Sequence, residues 1–404
     1  MHIAILAPSD KTFISAFLPN ISRHDLPDGY FGAPFIGILI DELLKNNHSV
    51  TAITTTKSIN DDYTIKEFSN DKFTWIVVPS RPNSMKFNGK KLGRIIDFFA
   101  LEQNGIIQTL KNIKPDIVHA HWSYEFAGAS IKSGFPYLVT VHDNAFQVFG
   151  YFKNTYRFLR LLMAERYLKR VKYASTVSPY MCSYVIKKCK SVKLIPNPTL
   201  IRNTKDEIKK LIDDKIRNIK SPVIFMINNG WDLRKNGKNG LLAFKVLQNI
   251  FPNASLHLFG NGSEINGLAY MDAQKIGIEN IFFNGPVSHQ VLLESLQKAH
   301  LLLHPALEES FGVVLIEAMS FGIPAIGGFK SGAVPWVINE EKLLVDVTDP
   351  ELMKSKMLAI LSNVDNYTKL ANDAYSNVVN RFSSEAVVNY YLSYYQTVLE
   401  NNKI

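Results

Sequence analysis

The sequence predicts an α/β protein made of two domains, each built on a parallel sheet. Short runs of apolar and β-branched residues alternate with helical patterns along nearly the whole chain, which is typical of strands joined by covering helices. The alternation stops at the Ile-Pro-Asn-Pro run of residues 195–198 and restarts at Val223. The chain has 404 residues, which is long for one doubly wound domain and enough for two of roughly 200 residues.

The predicted strands are short and mostly apolar, as expected of a sheet that helices cover on both faces. Residues 137–141, Tyr-Leu-Val-Thr-Val, are the clearest example. In the first half the predicted strands are residues 3–7, 49–54, 74–78, 116–121, 137–142, 174–177 and 192–195. In the second half they are residues 223–227, 256–259, 281–283, 301–304, 324–326 and 343–345. Helices are predicted between the first strands at residues 35–45, 93–112 and 157–172.

These patterns divide the chain into two Rossmann-like domains, residues 1–200 and 201–383. The tyrosine-rich tail, residues 384–404, is predicted to be helical and to pack back on the first domain. The charged segment at residues 205–220 is interpreted as an interdomain linker. Ligands of open parallel sheets bind beyond the carboxyl ends of the strands, so the default site is a cleft between two facing domains.

The composition favours two sizeable cores and an anionic partner. Apolar residues make up 46% of the chain and charged residues 20%, and the net charge is +9. Such a charge suits phosphorylated small molecules, nucleic acid or an anionic membrane without choosing among them. Cys182 and Cys189, seven residues apart on one predicted helix, share a face but lie too far apart to bridge. No signal peptide or membrane-length apolar run is recognised, so we expect a cytoplasmic protein.

The strongest motif is residues 304–319, His-Pro-Ala-Leu-Glu-Glu-Ser-Phe-Gly-Val-Val-Leu-Ile-Glu-Ala-Met. It predicts a strand, a loop that carries Glu309, and a helix that carries Glu317. A carboxylate can accept hydrogen bonds from two adjacent hydroxyls, as on a ribose. Glu317 is surrounded by apolar residues and therefore needs a polar partner, whereas the alternative is an ordinary solvated helix glutamate.

The spacing Glu-x7-Glu resembles the signature of the retaining glycosyltransferases of family 4, which have the GT-B fold of two Rossmann-like domains facing a cleft. Residues 322–328, Gly-Ile-Pro-Ala-Ile-Gly-Gly, and residues 331–335, Ser-Gly-Ala-Val-Pro, extend the resemblance. It implies that Glu317 binds the ribose of a nucleotide-diphosphate sugar and that Glu309 binds hydroxyls of the transferred sugar. Phe311 and Gly312, where the helix opens, are predicted donor-binding residues as well.

Ser331, Gly332 and Ala333 follow a predicted strand and open the next helix. Backbone amides at such a position, beside a glycine that permits close approach, predict a cradle for the donor pyrophosphate. The family often has Gly-Gly-x-x-Glu in this place, whereas this chain has Ser331, Gly332 and Trp336. That departure leaves the identity of the donor open.

A cationic loop, residues 229–236, follows the first strand of the second domain. Lys235 matches the family lysine that offsets the charge developing on a departing diphosphate. The arginine that the family often has directly after the glycine is replaced here by Trp231. Either Arg234 compensates for it, or Trp231 marks a subgroup with different contacts. Arg234 as a solvated turn residue is an equally open alternative.

In the first domain, His142 ends a predicted strand and matches the family histidine that contacts the donor sugar. By that resemblance the predicted catalytic residues are His142 in the first domain and Lys235 and Glu309 in the second. His119 and His121 point to one face of a strand, but cysteine and acidic partners at ligand spacing are missing, so no metal site is predicted. Gly32 lies in the loop after the first strand, which by resemblance lies near the donor phosphates and faces the acceptor.

The segment at residues 149–173 combines aromatic and basic residues. Its cations are Lys153, Arg157, Arg160, Arg166, Lys169, Arg170 and Lys172. A basic amphipathic helix at 153–172 can rest on the anionic inner face of a membrane, and relatives often use lipid-linked acceptors. A solvated helix face is the equal alternative. No nucleic-acid-binding motif accompanies the charge, so nucleic acid is not a predicted partner.

The resemblance implies a retaining, metal-independent hexosyltransferase with no cofactor, whose co-substrate is a UDP- or GDP-sugar. Its acceptor would be a glycan or a lipid-linked molecule in the synthesis of a bacterial surface polysaccharide, such as lipopolysaccharide, or of a glycolipid. Two alternatives remain, a nucleotide-sugar epimerase and a non-catalytic sugar-nucleotide-binding subunit. The Gly-x-Gly-x-x-Gly pattern of nicotinamide-binding proteins is missing from the first loop, which disfavours a dehydrogenase.

Overall fold

The fold was obtained as a computed structural model, which describes residues 1–57 and 64–402. The chain forms two compact units, of which the first is Met1–Pro198 together with the terminal helix from Ser384, and the second is Thr199–Ser383. Each unit contains one sheet with helices, so the predicted α/β class with two parallel-sheet units is confirmed.

The first sheet has eight strands in the order β3-β4-β2-β1-β5-β6-β7-β8. The strands are β1 (His2–Leu6), β2 (Ser49–Thr56), β3 (Lys66–Asn70), β4 (Phe73–Pro79), β5 (Ile117–His121), β6 (Tyr137–Val141), β7 (Tyr173–Thr176) and β8 (Ser191–Leu194). All neighbours are parallel except β3 and β4. Strand β3 was not predicted from the sequence, because this edge strand is largely exposed and its residues, Lys-Glu-Phe-Ser-Asn, lack the apolar pattern of the others.

The helices of the first unit lie between these strands. They are α1 (Lys11–Ile14), α2 (Phe35–Lys45), α3 (Ala100–Ile113), α4 (Glu125–Ser133), α5 (Ala145–Phe152), α6 (Thr155–Leu168) and α7 (Pro179–Val185). Side-chain caps set several starts: Asn154 accepts from the amide of Arg157 before α6, and Ser178 accepts from the amide of Met181 before α7. Because α7 ends at Val185, Cys189 lies beyond it, so the prediction of one helix for both cysteines is wrong.

Helix α3 begins seven residues later than the predicted start at residue 93. The reason is Arg81, which is fully buried and forms ion pairs with Asp97 at 2.7 Å and Glu102 at 2.7 Å. These bonds fold residues 81–99 into an irregular loop around the guanidinium instead of a longer helix. Phe99, in the left-handed conformation, stands at the start of α3.

The second sheet has six parallel strands in the order β11-β10-β9-β12-β13-β14. They are β9 (Val223–Ile227), β10 (Ser255–Phe259), β11 (Ile281–Gly285), β12 (Leu301–His304), β13 (Ala325–Gly328) and β14 (Leu344–Val345). The central strands β9 and β12 are almost entirely buried, with Ile224, Leu301 and Leu302 fully enclosed. The carboxyl ends of β9, β12 and β13 therefore lie side by side at one edge of the sheet.

The helices of the second unit cover this sheet. They are α8 (Lys205–Arg217), α9 (Gly237–Gln248), α10 (Leu268–Ile276), α11 (His289–Leu296), α12 (Val313–Met319), α13 (Val334–Ile338), α14 (Pro350–Leu361) and α15 (Val364–Phe382). The segment interpreted as a linker is α8, a packed part of this unit: a capping box at Thr204 and Glu207 starts it, and Ile208 and Ile212 are buried against the neighbouring structure.

The terminal helix α16 (Ser384–Glu400) packs on the first sheet through a row of buried tyrosines. The hydroxyl of Tyr395 hydrogen-bonds to Nδ1 of His119 at 2.6 Å, and the hydroxyl of Tyr394 to Oγ of Ser191 at 2.9 Å. Tyr391 reaches Oγ1 of Thr140 at 3.3 Å. The helix thus satisfies polar groups inside the first unit. None of the helices in the described ranges is both long and apolar enough to cross a membrane.

The contact between α16 and β5 gives a stability prediction. Tyr395→Phe removes the hydroxyl and leaves Nδ1 of the buried His119 without its partner, so we expect the free energy of unfolding to fall by about 1–3 kcal/mol. Urea denaturation measures the change. Tyr390→Phe is the matched control, because Tyr390 lies on the same helix with 54% of its surface exposed. Equal stability of the two variants would contradict the prediction.

Candidate active site

The loop after β9 is shaped by a capped turn that sets the positions of Arg234 and Lys235. Residues Leu233–Lys235 form one turn of 3-10 helix, and Oδ1 of Asp232 accepts hydrogen bonds from the amides of Arg234, at 2.9 Å, and Lys235, at 3.3 Å. Asn236 follows with a left-handed backbone and opens α9. The local sequence Asp-Leu-Arg-Lys-Asn thus directs a cation to the carboxyl edge of the second sheet.

Lys235 forms an ion pair with Glu309, which lies on the loop after β12. The side chain of Lys235 is 11% exposed and that of Glu309 is 14% exposed, so both charges are largely removed from water. Nε2 of His304, the last residue of β12, lies 3.6 Å from Oε1 of the same carboxylate. The structure therefore brings together Lys235 and Glu309, two of the three predicted catalytic residues, and adds His304 to them.

The ionisation of Glu309 is decided by two opposing effects. Burial raises the pKa of this carboxyl, whereas the charge of Lys235, the neighbouring His304 and Arg234 lower it. The lowering effects prevail, and the pKa of Glu309 lies well below its ordinary value. Glu309 is therefore a fixed acceptor of hydrogen bonds at neutral pH and does not supply a proton.

Arg234 is built into the loop that carries Glu309. Its Nη1 donates to the backbone oxygen of Glu308 at 3.3 Å and lies 3.5 Å from the carboxylate of the same residue. The backbone oxygen of Arg234 accepts from the amide of Leu307 at 2.8 Å. Arg234 thus connects the loop after β9 to the loop after β12. It is therefore not a solvated turn residue. Its Nε lacks a hydrogen-bond partner among the described residues.

Trp231, which replaces the arginine common in the family, has a structural role in this loop. Its Nε1 donates to Oδ2 of Asp272 on α10 at 2.9 Å. Its ring lies against Gly237, where an added Cβ would come within 2.4 Å of the indole. Trp231 therefore fixes the loop onto α9 and α10 and brings no charge of its own.

Glu317 is buried inside α12, with 6% of the residue exposed. Its Oε1 lies 2.6 Å from Nε2 of His289, the first residue of α11. The carboxylate thus has the polar partner that its apolar surroundings require, and it is not an ordinary solvated glutamate. Sequence reasoning missed His289, because it lies 28 residues away on another helix and outside any motif.

The loop that contains Ser331, Gly332 and Ala333 follows β13, as predicted. Its three amides donate to backbone oxygens, those of Gly328 at 3.1 Å, Lys330 at 3.0 Å and Glu309 at 2.9 Å. Gly332 has a left-handed backbone, with φ of 62°. The bond from the Ala333 amide to the Glu309 carbonyl joins this loop to the ion pair. A phosphate oxygen that used these amides would compete with the backbone oxygens.

Phe311 and Gly312, which lie between the two glutamates, have different environments. The ring of Phe311 is 3% exposed and packs edge-on against Trp336 and Phe382, at centroid distances of 6.3 and 5.6 Å. Only the backbone groups of Phe311 can therefore contact a sugar-nucleotide donor. Gly312 has φ of 85°, a conformation that favours glycine, and it starts α12.

Two buried polar side chains at this edge lack hydrogen-bond partners among the described residues. They are Asn228, directly after β9, and His304, at the end of β12. The pairing of Leu301 with Ile224 and Leu302 with Phe225 makes their strands neighbours. Buried polar atoms without partners are rare and often await a ligand or water. The sequence analysis assigned neither residue a role, although His304 gave the same signal as His142, a histidine at a strand end.

His142 belongs to the first unit, where it follows β6. Its Nε2 lies 2.8 Å from Nδ1 of His121, and the two rings stack at 5.1 Å. Burial lowers the pKa of His142 to about 3, so this imidazole is neutral at physiological pH. The rings of Trp122 and His142 also lie close together, with centroids 4.4 Å apart.

His119 and His121 share a face of β5, with ring centroids 4.1 Å apart. Both nitrogens of His119 already have partners, Tyr395 at Nδ1 and Thr140 at Nε2. Burial first, and then the charge of His142, lower the pKa of His119 to about 3. Within residues 1–57 and 64–402, no group of three or more His, Cys, Asp and Glu side chains is arranged to hold a metal ion.

Gly32 lies on the exposed loop after β1 and has φ of 115°, which only glycine adopts readily. An added Cβ would meet no atom within 4 Å, so the backbone conformation and not crowding requires glycine. Gly32 lines a pocket of about 240 Å³ with Trp122, Asp143 and Arg160, all in the first unit.

The basic segment is divided between two helices. Lys153 ends α5 with a left-handed backbone, and α6 carries the next cations. Arg160 does not belong to a solvated face, because its Nη1 lies 2.6 Å from Oε2 of Glu125 and its guanidinium stacks 3.4 Å above the ring of Tyr124. Phe158 and Arg166 of α6 are exposed.

Comparisons with known proteins place this site in context. A family model described as "Glycosyl transferases group 1" matches residues 207–377, and one described as "Glycosyltransferase Family 4" matches residues 35–199. The N-acetyl-alpha-D-glucosaminyl L-malate synthase of Bacillus anthracis is 30% identical over 154 residues, 37% of this chain and 39% of that protein. This chain thus matches less than half the length of that relative.

Two further likenesses extend over nearly the whole chain. An uncharacterized glycosyltransferase of Methanocaldococcus jannaschii, MJ1607, is 23% identical over 403 residues, 90% of this chain and 93% of that protein. The structure of sucrose-phosphate synthase from Thermosynechococcus elongatus superposes with a TM-score of 0.69 at 17% identity, covering 99% of this chain and 100% of the other. The structural likeness confirms the GT-B fold class.

The buried ion pair gives a prediction for stability against pH. Lys235→Met leaves Glu309 without its main cationic partner, so we expect the free energy of unfolding at neutral pH to fall by an amount on the order of 3 kcal/mol. The pKa of Glu309 is lowered in the folded protein and about 4.3 in the unfolded chain, so the stability that the pair contributes is lost as the pH falls below about 4.3. The difference between wild type and variant should therefore shrink in acid.

Urea denaturation at neutral pH and near pH 3.5 measures this difference, the lower value being chosen about one unit below the unfolded pKa. Lys238→Met is the matched control, because Lys238 is exposed on the adjacent turn of α9. A difference between wild type and Lys235→Met that stays the same at both pH values would show that the ion pair is not its origin.

Proposed function

Because this chain belongs to family 4 of the glycosyltransferases (glycosyl transferases group 1), we propose that it transfers a sugar from a nucleotide-diphosphate sugar to an acceptor hydroxyl, with retention at the anomeric carbon. The observation that carries the proposal is the largely buried Lys235–Glu309 pair, with His304 beside it, at the carboxyl edge of the second sheet. In open α/β sheets that edge is where ligands bind.

Lys235 supplies the charge that this reaction needs at the leaving group. As the glycosidic bond breaks, negative charge grows on the departing diphosphate, and a cation already in place stabilises it without reorganisation. An ammonium group has three donors, of which one serves Glu309, so others are left for phosphate oxygens. Low exposure strengthens the interaction, because little water screens it.

Glu309 acts as a hydrogen-bond acceptor for hydroxyls of the transferred sugar. Its low pKa keeps it ionised, so it neither protonates the leaving group nor needs to be activated. The leaving diphosphate itself is then the base that assists the incoming hydroxyl on the same face of the sugar. Catalysis consists of positioning and of charge stabilisation. No cofactor and no metal ion are part of this proposal.

Glu317 and His142 complete the donor contacts that we propose. A buried carboxylate suits the two adjacent hydroxyls of a ribose, and His289 keeps Glu317 in position from its other side. The neutral imidazole of His142 uses Nε2 for His121, which leaves Nδ1 for a sugar hydroxyl. Ser331, Gly332, Ala333, Arg234, Phe311, Gly312 and Gly32 remain proposed donor-binding residues.

The donor and acceptor are proposed at the level of chemical class. The donor is a UDP- or GDP-sugar, and the name of the Bacillus anthracis relative recommends N-acetylglucosamine as the first sugar to test. The acceptor is a glycan or lipid-linked molecule in bacterial surface polysaccharide or glycolipid synthesis. We propose a cytoplasmic enzyme whose exposed cations near α6, such as Lys153 and Arg166, contact the inner face of the membrane.

Donor binding is predicted to raise the unfolding temperature by mass action. A screen of UDP-N-acetylglucosamine and other UDP-, GDP- and ADP-sugars should identify one nucleotide that stabilises the chain. Glu317→Gln should weaken binding of that donor roughly ten-fold, because a charge-assisted hydrogen bond to the ribose is lost. Glu294→Gln, an exposed change on α11, is the control. If none of these nucleotides stabilises the wild-type protein, the proposal fails.

Transfer should depend on the ion pair. Glu309→Gln and Lys235→Met are each expected to lower kcat by about 100-fold or more, since each removes charge preorganised for the reaction. Product formation is followed with the donor found in the screen, and folding is checked by circular dichroism. Full activity in both variants would refute the assignment. Conversion of donor to an isomer in the absence of any acceptor would point to an epimerase instead.

A further inference from the structure

The first unit contains a pocket of about 380 Å³ that the donor residues do not use. It lies at the carboxyl ends of β2 and β4, beside the loop after β1, where ligands of α/β sheets bind. Its wall combines four aromatic rings with two cations: Tyr30, Phe31, Phe99, Tyr156, Lys57 and Arg94. Pockets for small molecules generally range from roughly 300 to 1,000 Å³, so this one suits a small ligand or one group of a larger ligand.

Arg94 is a buried cation that forms no ion pair with a carboxylate of residues 1–57 or 64–402. Only 7% of the residue is exposed, and its Nη1 donates to the backbone oxygens of Arg81 and Pro82. Among the residues that the structure describes, no carboxylate lies within ion-pair distance of its guanidinium. Buried charges in proteins are normally paired, because removing a lone charge from water costs several kcal/mol. A buried guanidinium in this position therefore suits an anionic ligand.

The carboxylates near Arg94 do not neutralise its charge, because each forms an ion pair with another cation. The pairs are Asp28 with Lys11 at 2.7 Å, Glu102 with Arg81 at 2.7 Å, and Glu125 with Arg160 at 2.6 Å. Arg81, at the start of the loop, forms ion pairs with Asp97 near its end and with Glu102 in α3, so the two ends of the loop are joined. Arg94 is thus held in position by its loop and by its hydrogen bonds to the backbone oxygens of Arg81 and Pro82.

Lys57 adds a second positive charge to the same pocket. It directly follows β2 and is exposed, and no ion pair joins it to a described residue. Lys57 and Arg94 line the same pocket, and partial burial, followed by the charge of Arg94, lowers the pKa of Lys57. An anion placed between them would satisfy both charges. A guanidinium with unused donors next to an ammonium group suits phosphate or carboxylate oxygens.

We propose that this pocket holds the acceptor of the transfer reaction, gripping an anionic group of it, a phosphate monoester or a carboxylate, between Lys57 and Arg94. The acceptor's ring packs against the aromatic side chains at the mouth, Tyr30 and Phe31. This assignment rests on the proposed transferase function and specifies its acceptor: a neutral, unsubstituted sugar is a poor substrate and an anionic one is a good substrate.

The test is calorimetric titration of the full chain with glucose 6-phosphate and with glucose. Wild type and Lys90→Gln should bind glucose 6-phosphate alike, because Lys90 is exposed on the loop before Arg94 and does not line the pocket. Lys57→Gln should bind it roughly ten-fold more weakly, and Arg94→Gln at least as weakly. Glucose should bind all four proteins poorly. Because Lys57 is exposed, its replacement leaves the fold intact even if the replacement of Arg94 does not. If Lys57→Gln binds glucose 6-phosphate with the affinity of wild type, the inference is overturned.

Lys235→Met separates this site from the proposed donor site. It should bind glucose 6-phosphate as tightly as wild type. If instead Lys235→Met loses this binding while Lys57→Gln keeps it, the anion lies at the donor site and the inference is wrong, although the proposed function stands. If Lys57→Gln alone loses it but no nucleotide sugar stabilises the wild type, the proposed function fails and the anion site remains.

A vesicle assay distinguishes a soluble acceptor from a lipid-borne one. Vesicles of phosphatidylcholine with and without phosphatidylinositol 4-phosphate are sedimented with wild type and with Lys57→Gln. Recruitment of wild type, but not of the variant, by the phosphorylated vesicles supports a lipid-borne phosphate. Binding of glucose 6-phosphate without recruitment supports a soluble acceptor. If wild type neither binds glucose 6-phosphate nor is recruited to the vesicles, the inference is overturned.

Discussion

The ion pair between Lys235 and Glu309 is the interaction around which the carboxyl edge of the second sheet is organised. Neither charge tolerates its low exposure alone, so the loops after β9 and β12 must fold together. The Asp232 cap, the bond from Arg234 to the Glu308 carbonyl, and the bond from the Ala333 amide to the Glu309 carbonyl all hold this geometry. The pair therefore joins the two loops, and in the proposed reaction it supplies the fixed charges.

Buried charges need partners of opposite charge in the first unit as well, but its two buried arginines differ in this respect. Arg81 is fully buried and its charge is balanced by Asp97 and Glu102, so it serves the fold alone. Arg94, held against the carbonyls of Arg81 and Pro82, is nearly as buried and has no such balance among the described residues. Since the fold satisfies the first arginine completely, the unbalanced second one is not explained by packing, and an external anion supplies the missing charge.

The sequence predicted what depends on local pattern and missed what depends on distant partners. Strands such as β6 and β9 are continuously apolar and were found with nearly correct limits. The start of α3 was wrong because Arg81 folds the preceding residues around itself, a long-range effect that helical periodicity does not contain. The apolar neighbours of Glu317 predicted that it needs a partner, but nothing local identified His289.

The histidines show why position alone does not separate function from structure. His119 lies in the middle of β5 and His304 is the last residue of β12, and both strands are buried. In the fold, Tyr395 and Thr140 use both nitrogens of His119, whereas those of His304 have no hydrogen-bond partner among the described residues and face Glu309. A strand histidine whose hydrogen bonds are complete supports the core. One whose nitrogens remain unused beside a charged pair is available to a substrate, and only the tertiary structure distinguishes the two.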